Sequence, residues 1–358
     1  MTSHAVPPSW FFVDETGTFR LHDPHRTSYL YFPLVNDAGM MSSVTPTLHG
    51  DCKTGQNEFL TAPVSVEDLH NTRSARNFWV NVAGYGPWSV SGNSAPQLAR
   101  AFDTDDPDTV TLEAGLLWHR ITRENRAIGL RAEITSFIPV GSDPVELMRV
   151  RLTNVCDQPL TLTPTAAIPI YGRSADNLRD HRHVTSLLHR LSTHPYGVLV
   201  RPTLSFDERG HVANSVTYSV LGTTGEGSAP VCFFPAVEDF IGEGGTFEWP
   251  EAIVTDAAAG VPAGYTLDGY ETVGALRFAD VTLPPGESYD YVLILAVLRD
   301  GADPDALIRT FGSAARFESA VAACQCHWQD KADTLTFDTG DPTFDRWMRW
   351  VGIQPVLR

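Results

Sequence analysis

The sequence of 358 residues is poor in cysteine and in basic residues, and it has no long apolar run. Its five cysteines show no regular spacing, which argues against a disulfide framework and favours a reducing compartment. Lys and Arg total 26 against 43 Asp and Glu, and a net charge of −17 disfavours binding to nucleic acids or anionic membranes. The first residues carry no export signal, and no stretch is long enough to span a membrane. We therefore expect a soluble, cytoplasmic protein that binds neither nucleic acid nor membrane.

Two short spacings resemble metal-binding patterns. Cys324 and Cys326 lie in a helical pattern, where residues two apart point to different faces, and no second Cys or His pair follows at zinc-finger spacing. His181 and His183 would share one face of a strand, but no third ligand is identifiable. We therefore predict no metal site and no cofactor.

Short apolar or alternating runs fill residues 29–298 and are bounded by Gly, Pro, Asp and Asn. Examples are residues 29–32, 77–82, 145–152 and 289–295, and such runs are typical of β-strands. Residues 149–154 and 159–164 are predicted to pair across a turn that holds Asp157 and Gln158. The pattern predicts a mainly β fold, a large antiparallel sandwich over residues 1–300.

The pattern changes at Asp303-Pro304, a helix cap followed by proline at the first helical position. The next segment, to Lys331, repeats apolar residues every three or four positions and predicts a linker helix. A strand-like piece, residues 334–337, then leads to a second cap at Asp341-Pro342 and a helix over 343–351. Residues 301–358 are therefore predicted to be linker helices and the start of a further domain.

The final helix carries Phe344, Trp347, Met348 and Trp350, which need a large apolar partner. Nothing after Arg358 supplies one. We therefore expect the chain to be part of a longer protein.

Three stretches resemble the family 94 glycoside phosphorylases, and within them most closely the 1,2-β-oligoglucan phosphorylases. The first is residues 31–88, which begin YFPLVNDAGMMSS and end NFWVNVAGYGPW. The second is YGRSADNLRDHRH at 171–183, and the third is FDRWM at 344–348. The resemblance spans nearly the whole chain.

The resemblance implies an amino-terminal super-sandwich akin to galactose mutarotase, which linker helices join to an (α/α)6 catalytic barrel. Members of that family cleave a β-glucoside with inorganic phosphate, with inversion, and release α-glucose 1-phosphate. A carboxylic acid protonates the leaving oxygen, and phosphate replaces the water of an inverting hydrolase. Because acid and phosphate pocket belong to the barrel, the resemblance assigns no catalytic residue here. Phosphate is the co-substrate of the parent enzyme, and this chain alone is expected to be inactive.

The expected partners follow from the same resemblance. They are an oligosaccharide substrate, the barrel of the parent chain and a second subunit, since in family dimers the sandwich of one subunit reaches toward the barrel of the other.

Two polar clusters are candidates for contact with the substrate or the barrel. The richer one could equally be a charged loop that satisfies itself, because loops carry both kinds of cluster. It consists of Arg173, Asp176, Asn177, Arg179, Asp180, His181, Arg182 and His183. The second cluster is Lys53, Gln56, Asn57 and Glu58, beside turn signals, and a solvated loop is its alternative. A third polar run, residues 68–76, is explained by capping and loop packing.

Sugar rings lay apolar faces on indoles, so the tryptophans are candidates too. Trp79 lies inside an alternating strand and is predicted to be core. Trp88 follows the Gly84–Pro87 turn and is predicted to be exposed for sugar contact. No nucleophile elbow, phosphate loop or dinucleotide fingerprint stands in the context it requires.

The sequence is compatible with three different functions. The first is a non-catalytic, sugar-associated domain of a β-1,2-glucan phosphorylase. The second is a stand-alone carbohydrate-binding module. The third is a mutarotase-like epimerase, which would need a His acid such as His181 or His183 and a carboxylate base in one cleft.

Overall fold

The computed structural model describes residues 10–27, 29–101, 103, 105–207, 210–256 and 260–357, with side chains except at positions 26, 182, 183, 207, 356 and 357. In chain order the strands are β1 Trp10–Phe12, β2 Phe19–His22, β3 Phe32–Val35, β4 Met41–Val44, β5 Cys52–Gly55, β6 Glu58–Phe59, β7 Asn77–Val82, β8 Gly86–Ser89, β9 Asp108–Gly115, β10 Trp118–Asn125, β11 Leu130–Phe137, β12 Val145–Asn154, β13 Leu160–Ile170, β14 Arg190–His194, β15 Gly197–Val200, β16 Leu204–Asp207, β17 Gly210–Ala213, β18 Val216–Thr224, β19 Cys232–Ala236, β20 Thr266–Asp268, β21 Thr272–Arg277, β22 Val281–Leu283 and β23 Ser288–Arg299.

The helices are short except near residue 358. They are α1 Ala95–Arg100, α2 Arg182–Ser186, α3 Val237–Ile241, α4 Glu251–Val254, α5 Pro304–Phe311, α6 Ala314–Ala332 and α7 Pro342–Ile353. Single 3-10 turns cover Pro24–Arg26, Thr72–Ser74, Ala175–Arg179 and Gln354–Leu357. The predicted mainly β fold is confirmed.

Two antiparallel sheets face each other across the main core. The larger has 11 strands in the order β1-β2-β9-β10-β11-β12-β23-β18-β15-β14-β20, and the smaller has six, β19-β21-β13-β7-β8 with β22 on β13. Strands β3 to β6 form a third sheet, and β16 and β17 form a hairpin. Aromatic rings join the two large sheets, with the ring centroids of Phe78 and Tyr291 5.1 Å apart. The molecule is therefore an antiparallel supersandwich.

Helices cover the outer faces of both large sheets. Phe240 of α3 and Ile253 of α4 pack on the six-stranded sheet, whereas Phe311 of α5 and Phe317 of α6 pack on the larger one. Strand β23 is consequently buried on both faces: Leu293 and Leu295 face the inner core, and Val292 and Ile294 face the helices. This double burial explains why strands such as 289–295 read as continuous apolar runs.

The predicted helix starts after residue 300 agree with the structure, but the single linker helix predicted up to Lys331 is two helices, because α5 ends at Phe311 and α6 begins at Ala314. Asp303 Oδ1 accepts from the amide of Asp305 and so caps α5, and Asp341 Oδ1 accepts from the amides of Thr343 and Phe344 to cap α7. On α6 Cys324 is buried and Cys326 exposed, as expected for residues two apart on a helix. The division at residue 300 remains a prediction, and the helices beyond it share a core with the large sheet.

Two local predictions are wrong. Residues 149–154 and 159–164 do not pair, because β12 pairs with β11 and β23 while β13 lies in the other sheet beside β7, β21 and β22. The turn between them is a corner of the sandwich. Residues 334–337 form no strand, since this segment lies beyond α6 and pairs with no strand in the described part of the chain.

Helix α7 finds an apolar partner at the other end of the sequence. Trp350 Nε1 donates to the carbonyl of Gly17 at 2.7 Å, and its ring packs on Phe19 with centroids 5.6 Å apart. Phe344 and Trp347 stay about half exposed, at 45% and 50%. The sequence pattern therefore identified the apolar face but not the β1–β2 hairpin that covers part of it.

Within the described residues, no helix has both the length and the apolar character that crossing a membrane requires.

Candidate functional site

A polar cleft of about 690 Å³ opens where β13 ends and β7 begins. Antiparallel neighbours run in opposite directions, so the end of one strand and the start of the next lie at the same sheet edge. Ala167, near the end of β13, pairs with Asn77, the first residue of β7. The loop ahead of β7 and the loop after β13 therefore meet. The cleft is lined by Ala62, Asn71, Thr72, Arg73, Tyr171, Asn177, Leu178, Arg179, Asp180 and His181.

The loop after β13 is held by its own short side chains. Ser174 Oγ accepts from the amide of Asp176 at 3.3 Å and caps the 3-10 turn Ala175–Arg179. Asn177 Nδ2 then donates to Asp180 Oδ2 at 2.8 Å. These bonds fix the backbone and leave the side chains of Arg179 and His181 exposed at the rim.

The second predicted cluster supports this loop. The carbonyl of Gln56 accepts from the amide of Ala175 at 3.0 Å, and Asn57 Oδ1 accepts from Ser174 Oγ at 3.1 Å. Phe59 and Arg173 form a backbone bridge in the same place. Gln56 and Asn57 therefore join the first cluster, at its back rather than in the cleft.

Lys53 lies elsewhere. Its Nζ pairs with Asp51 Oδ2 at 3.0 Å and sits 4.7 Å from the centre of the Phe59 ring. It lines a separate groove of about 420 Å³ that also includes Tyr29 and Tyr31.

The opposite wall of the cleft comes from the third polar run. Asn71 Oδ1 accepts from the amide of Arg73 at 2.9 Å, which confirms the predicted capping role. Arg73 lines the cleft, and its Nη1 pairs with Glu271 Oε2 at 2.7 Å. Sequence reasoning missed Asn71 and Arg73 as cleft residues, because only strand pairing brings them opposite residues 171–181.

Tyr171 supplies the aromatic surface of the cleft and was also missed. The guanidinium of Arg173 lies over its ring, 5.0 Å from the centroid. Its hydroxyl donates to the carbonyl of Ser174 at 3.2 Å. Burial raises the pKa of Tyr171 to about 12, so the hydroxyl stays protonated near neutral pH.

Not every residue of the first cluster lines the cleft. Asp176 is exposed on the 3-10 turn and does not line the cleft. Residues 181–183 do not lie in a strand: the carbonyl of His181 accepts from the amides of Val184 and Thr185, and α2 begins at Arg182. The side chains of Arg182 and His183 lie outside the described residues.

The prediction that Trp88 is exposed is wrong. Trp88 is 2% exposed in the main core, where its Nε1 donates to Asp108 Oδ1 at 3.3 Å. The turn instead exposes Tyr85, at 46%. The prediction of a core Trp79 is confirmed, at 0% exposure. Strand β8 pairs with β7 and carries Trp88 inward with it.

The cleft is chemically suited to binding. Amide, guanidinium and imidazole groups offer donors and acceptors for hydroxyl groups, and Tyr171 offers a ring. Of the described residues that line it, Asp180 alone carries a carboxylate. Across the described chain, no three His, Cys, Asp or Glu side chains are grouped closely enough to hold a metal ion.

Several solved structures are similar to the chain at low sequence identity. A bacterial glucoamylase complexed with acarbose has a TM-score of 0.48 at 6% identity, covering 88% of this chain and 38% of that chain. A putative kojibiose phosphorylase from the human microbiome has 0.38 at 7%, covering 97% and 39%. A GalM/aldose epimerase homologue from C. elegans has 0.37 at 10%, covering 76% and 99%. The chain thus spans well under half of the glucoamylase.

Among curated proteins, no sequence matches the chain. The model of one protein family does match, the glycosyl hydrolase 94 supersandwich domain, over residues 98–314. The matched part runs from α1 to the first residue of α6 and so contains β9 to β23. The chain belongs to glycosyl hydrolase family 94, of which it carries the supersandwich domain.

Proposed function

We propose that this chain is the non-catalytic, sugar-contacting part of an inverting glycoside phosphorylase that acts on β-1,2-gluco-oligosaccharides. Inorganic phosphate is the proposed co-substrate, and α-glucose 1-phosphate the product. The observation that carries the proposal is the family match over residues 98–314. The resemblance at residues 31–88, 171–183 and 344–348 supports the β-1,2 linkage.

In this proposal the cleft between Asn71–Arg73 and residues 171–181 contacts the oligosaccharide. Sugar hydroxyls both donate and accept, which suits the mixed amide and guanidinium lining. An inverting reaction needs a general acid and a positioned nucleophile on opposite sides of the scissile bond. Asp180 is the one carboxylate among the described residues that line the cleft, and a single carboxylate fits a binding role better than that reaction.

The catalytic acid and phosphate pocket are then proposed to come from an (α/α)6 barrel, in the same protein or in the second subunit of a cytoplasmic homodimer. The half-exposed rings of Phe344 and Trp347, 5.9 Å apart, support an apolar partner on α7.

Activity of the chain itself is the first test. The chain is incubated with α-glucose 1-phosphate and sophorose, and released phosphate is measured. We expect no release above the buffer blank. Robust turnover would show that the described residues do contain the catalytic machinery and would overturn the non-catalytic role.

Sugar binding is the second test. Titration calorimetry with β-1,2-gluco-oligosaccharides is compared with their β-1,3 and β-1,4 isomers. We expect a preference for β-1,2, and about tenfold weaker binding in Arg179→Ala and His181→Ala, which each remove one polar contact. Arg309→Ala, on the exposed face of α5 and far from the cleft in sequence, is the control and should bind like the parent chain. Equal binding of all linkages, or unchanged binding in both cleft variants, contradicts the proposal.

A mutarotase-like epimerase is the second candidate, because Asp180 and His181 both line the cleft. Such an enzyme uses one group as acid and one as base at the anomeric centre. Polarimetry of freshly dissolved α-glucose tests it. Acceleration that disappears in Asp180→Asn would favour the epimerase over the binding domain.

A further inference from the structure

A second, small cavity lies beside the cleft, enclosed by the loop after β13, helix α2 and the β16–β17 hairpin. It offers about 20 Å³, room for roughly one or two water-sized bodies. Arg173 is the charged side chain of its described lining. The polar groups around it are neutral amides, hydroxyls and imidazoles, from Asn57, Ser174, Asn177, Thr185, His189, Ser205, His211, Asn214 and Tyr218.

Arg173 has neutral partners in this cavity. Its Nε donates to His189 Nε2 at 3.3 Å, and its Nη1 donates to Thr185 Oγ1. No ion pair with a carboxylate involves it among the described side chains. The two nearest acids are engaged elsewhere: Glu271 pairs with Arg73 at 2.7 Å, and Asp180 accepts from Asn177 at 2.8 Å.

His189 carries no charge that would add to or cancel the charge of Arg173. It is fully buried, and burial lowers its pKa to about 3, with the Arg173 charge acting in the same direction. The ring is therefore neutral at physiological pH. Its Nε2 accepts from Arg173, so the proton sits on Nδ1, which lies 3.2 Å from Thr272 Oγ1.

Two donors at the cavity remain uncommitted in the described part of the chain. Neither Arg173 Nη2 nor the Tyr218 hydroxyl forms a hydrogen bond there, although both residues line the cavity. Burial raises the pKa of Tyr218, so the hydroxyl keeps its proton. A half-buried cation without a counter-ion is costly, and an anion held by charge-assisted bonds offsets that cost.

We propose that this cavity binds one small inorganic anion of chloride size, with Arg173 as its counter-ion and the Tyr218 hydroxyl as a second donor. A monatomic anion such as chloride is little larger than a water molecule and is therefore small enough for this cavity. The cavity shares Asn177 with the proposed glucan cleft, but Arg173 and Tyr218 do not line that cleft, so failure to bind glucans would leave this inference untouched.

Bromide tests the site directly. Crystals of the chain soaked in sodium bromide should show an anomalous peak between Arg173 and Tyr218. In solution, replacing gluconate by chloride at constant ionic strength should raise the Tm by about 2 °C, as expected for a ligand that binds only the folded state. Arg173→Met should lose both effects, and Arg309→Met on α5 should keep them.

Tyr218→Phe keeps the proposal testable if Arg173→Met fails to fold. It removes one donor while retaining the ring, so the chloride concentration for half-maximal stabilisation should rise several-fold. The proposal is overturned if no anomalous peak lies in the cavity, if Tyr218→Phe responds to chloride like the parent chain, or if phosphate replaces bromide there.

Discussion

Arg76 and Glu146 form an ion pair with no solvent-exposed surface, with Nε 2.5 Å from Oε1 and Nη2 2.8 Å from Oε2. Arg76 also donates to the carbonyls of Gly50 and Asp51, and Ser42 Oγ donates to Glu146. Burial opposes the charge of Arg76, but Glu146 more than offsets it, so the pKa of Arg76 lies above its ordinary value. The pair ties the four-stranded sheet and the start of β7 to strand β12.

Breaking this pair should be severely destabilising. Glu146→Gln leaves Arg76 buried without a carboxylate, and we expect the free energy of unfolding to fall by about 3–5 kcal/mol. Urea unfolding measures it. Glu113→Gln, which breaks the partly exposed pair with Arg20, is the matched control and should cost about 1 kcal/mol or less. Similar losses in the two variants would contradict the argument.

Stability should decline in mild acid. Burial lowers the pKa of His49, His119 and His189 to about 3 each, with nearby positive groups adding to the effect. Between the unfolded pKa of about 6.5 and the folded value, the unfolded chain binds more protons. The stabilising contribution of each neutral histidine is therefore complete above pH 6.5 and is lost as the pH falls toward 3. Urea midpoints measured from pH 7 to 4.5 should fall steadily.

A variant of His119 tests whether the buried histidines cause the loss of stability in acid. Its ring stacks on Phe32, and neither ring nitrogen has a hydrogen-bond partner among the described residues. His119→Leu should therefore keep the fold at pH 7 and show a shallower loss in acid. His22→Leu, at an exposed position on β2, is the control. An unchanged acid slope in His119→Leu would refute the assignment.

The contact between α7 and the β1–β2 turn depends on Gly17. Its φ is +90°, and an added Cβ would meet the carbonyl of Arg346 at 3.4 Å and Trp350 Nε1 at 3.5 Å. Gly17→Ala should cost about 1–2 kcal/mol from the left-handed backbone and loosen α7. Amide hydrogen exchange over residues 342–353 measures this. Gly286→Ala has a similar φ of +79° but open space at its Cβ, so it should leave α7 exchange unchanged.

Trp88 should matter for folding rather than for sugar binding. Trp88→Ala empties a site in the main core, and we expect a loss of about 3–5 kcal/mol in the free energy of unfolding. Tyr85→Ala, at the exposed position of the same turn, should change it by about 0.5 kcal/mol or less. Unfolding monitored by tryptophan fluorescence distinguishes the two, and a stable Trp88→Ala variant would contradict the burial argument.

The elements themselves were largely predictable, because capping and hydrophobic period are local signals. Asp303-Pro304 and Asp341-Pro342 marked the starts of α5 and α7, and β23 was evident as an apolar run. Strand pairing was not predictable. Residues 149–164 have the pattern of a hairpin, yet β12 and β13 join different sheets, since a local pattern does not show which partners are already taken.

The candidate site was predictable only in part, for the same reason. The polar density of residues 173–181 drew attention to one wall of the cleft. The other wall, Asn71 and Arg73, lies about a hundred positions earlier and is placed by the pairing of Asn77 with Ala167. Trp88 was mispredicted because a turn sequence indicates where the chain bends but not which side chain turns inward.

The bond from Trp350 to Gly17 also sets an order of events during synthesis. Its two residues are 333 positions apart, so the β1–β2 hairpin leaves the ribosome long before the helix that covers it exists. Until then Phe19, on the second strand of the 11-stranded sheet, lacks the indole against which it packs. Apolar surface that is exposed in this way during synthesis can associate with other chains. Phe19 is therefore covered only after helix α7 has been synthesised and has packed on the β1–β2 hairpin.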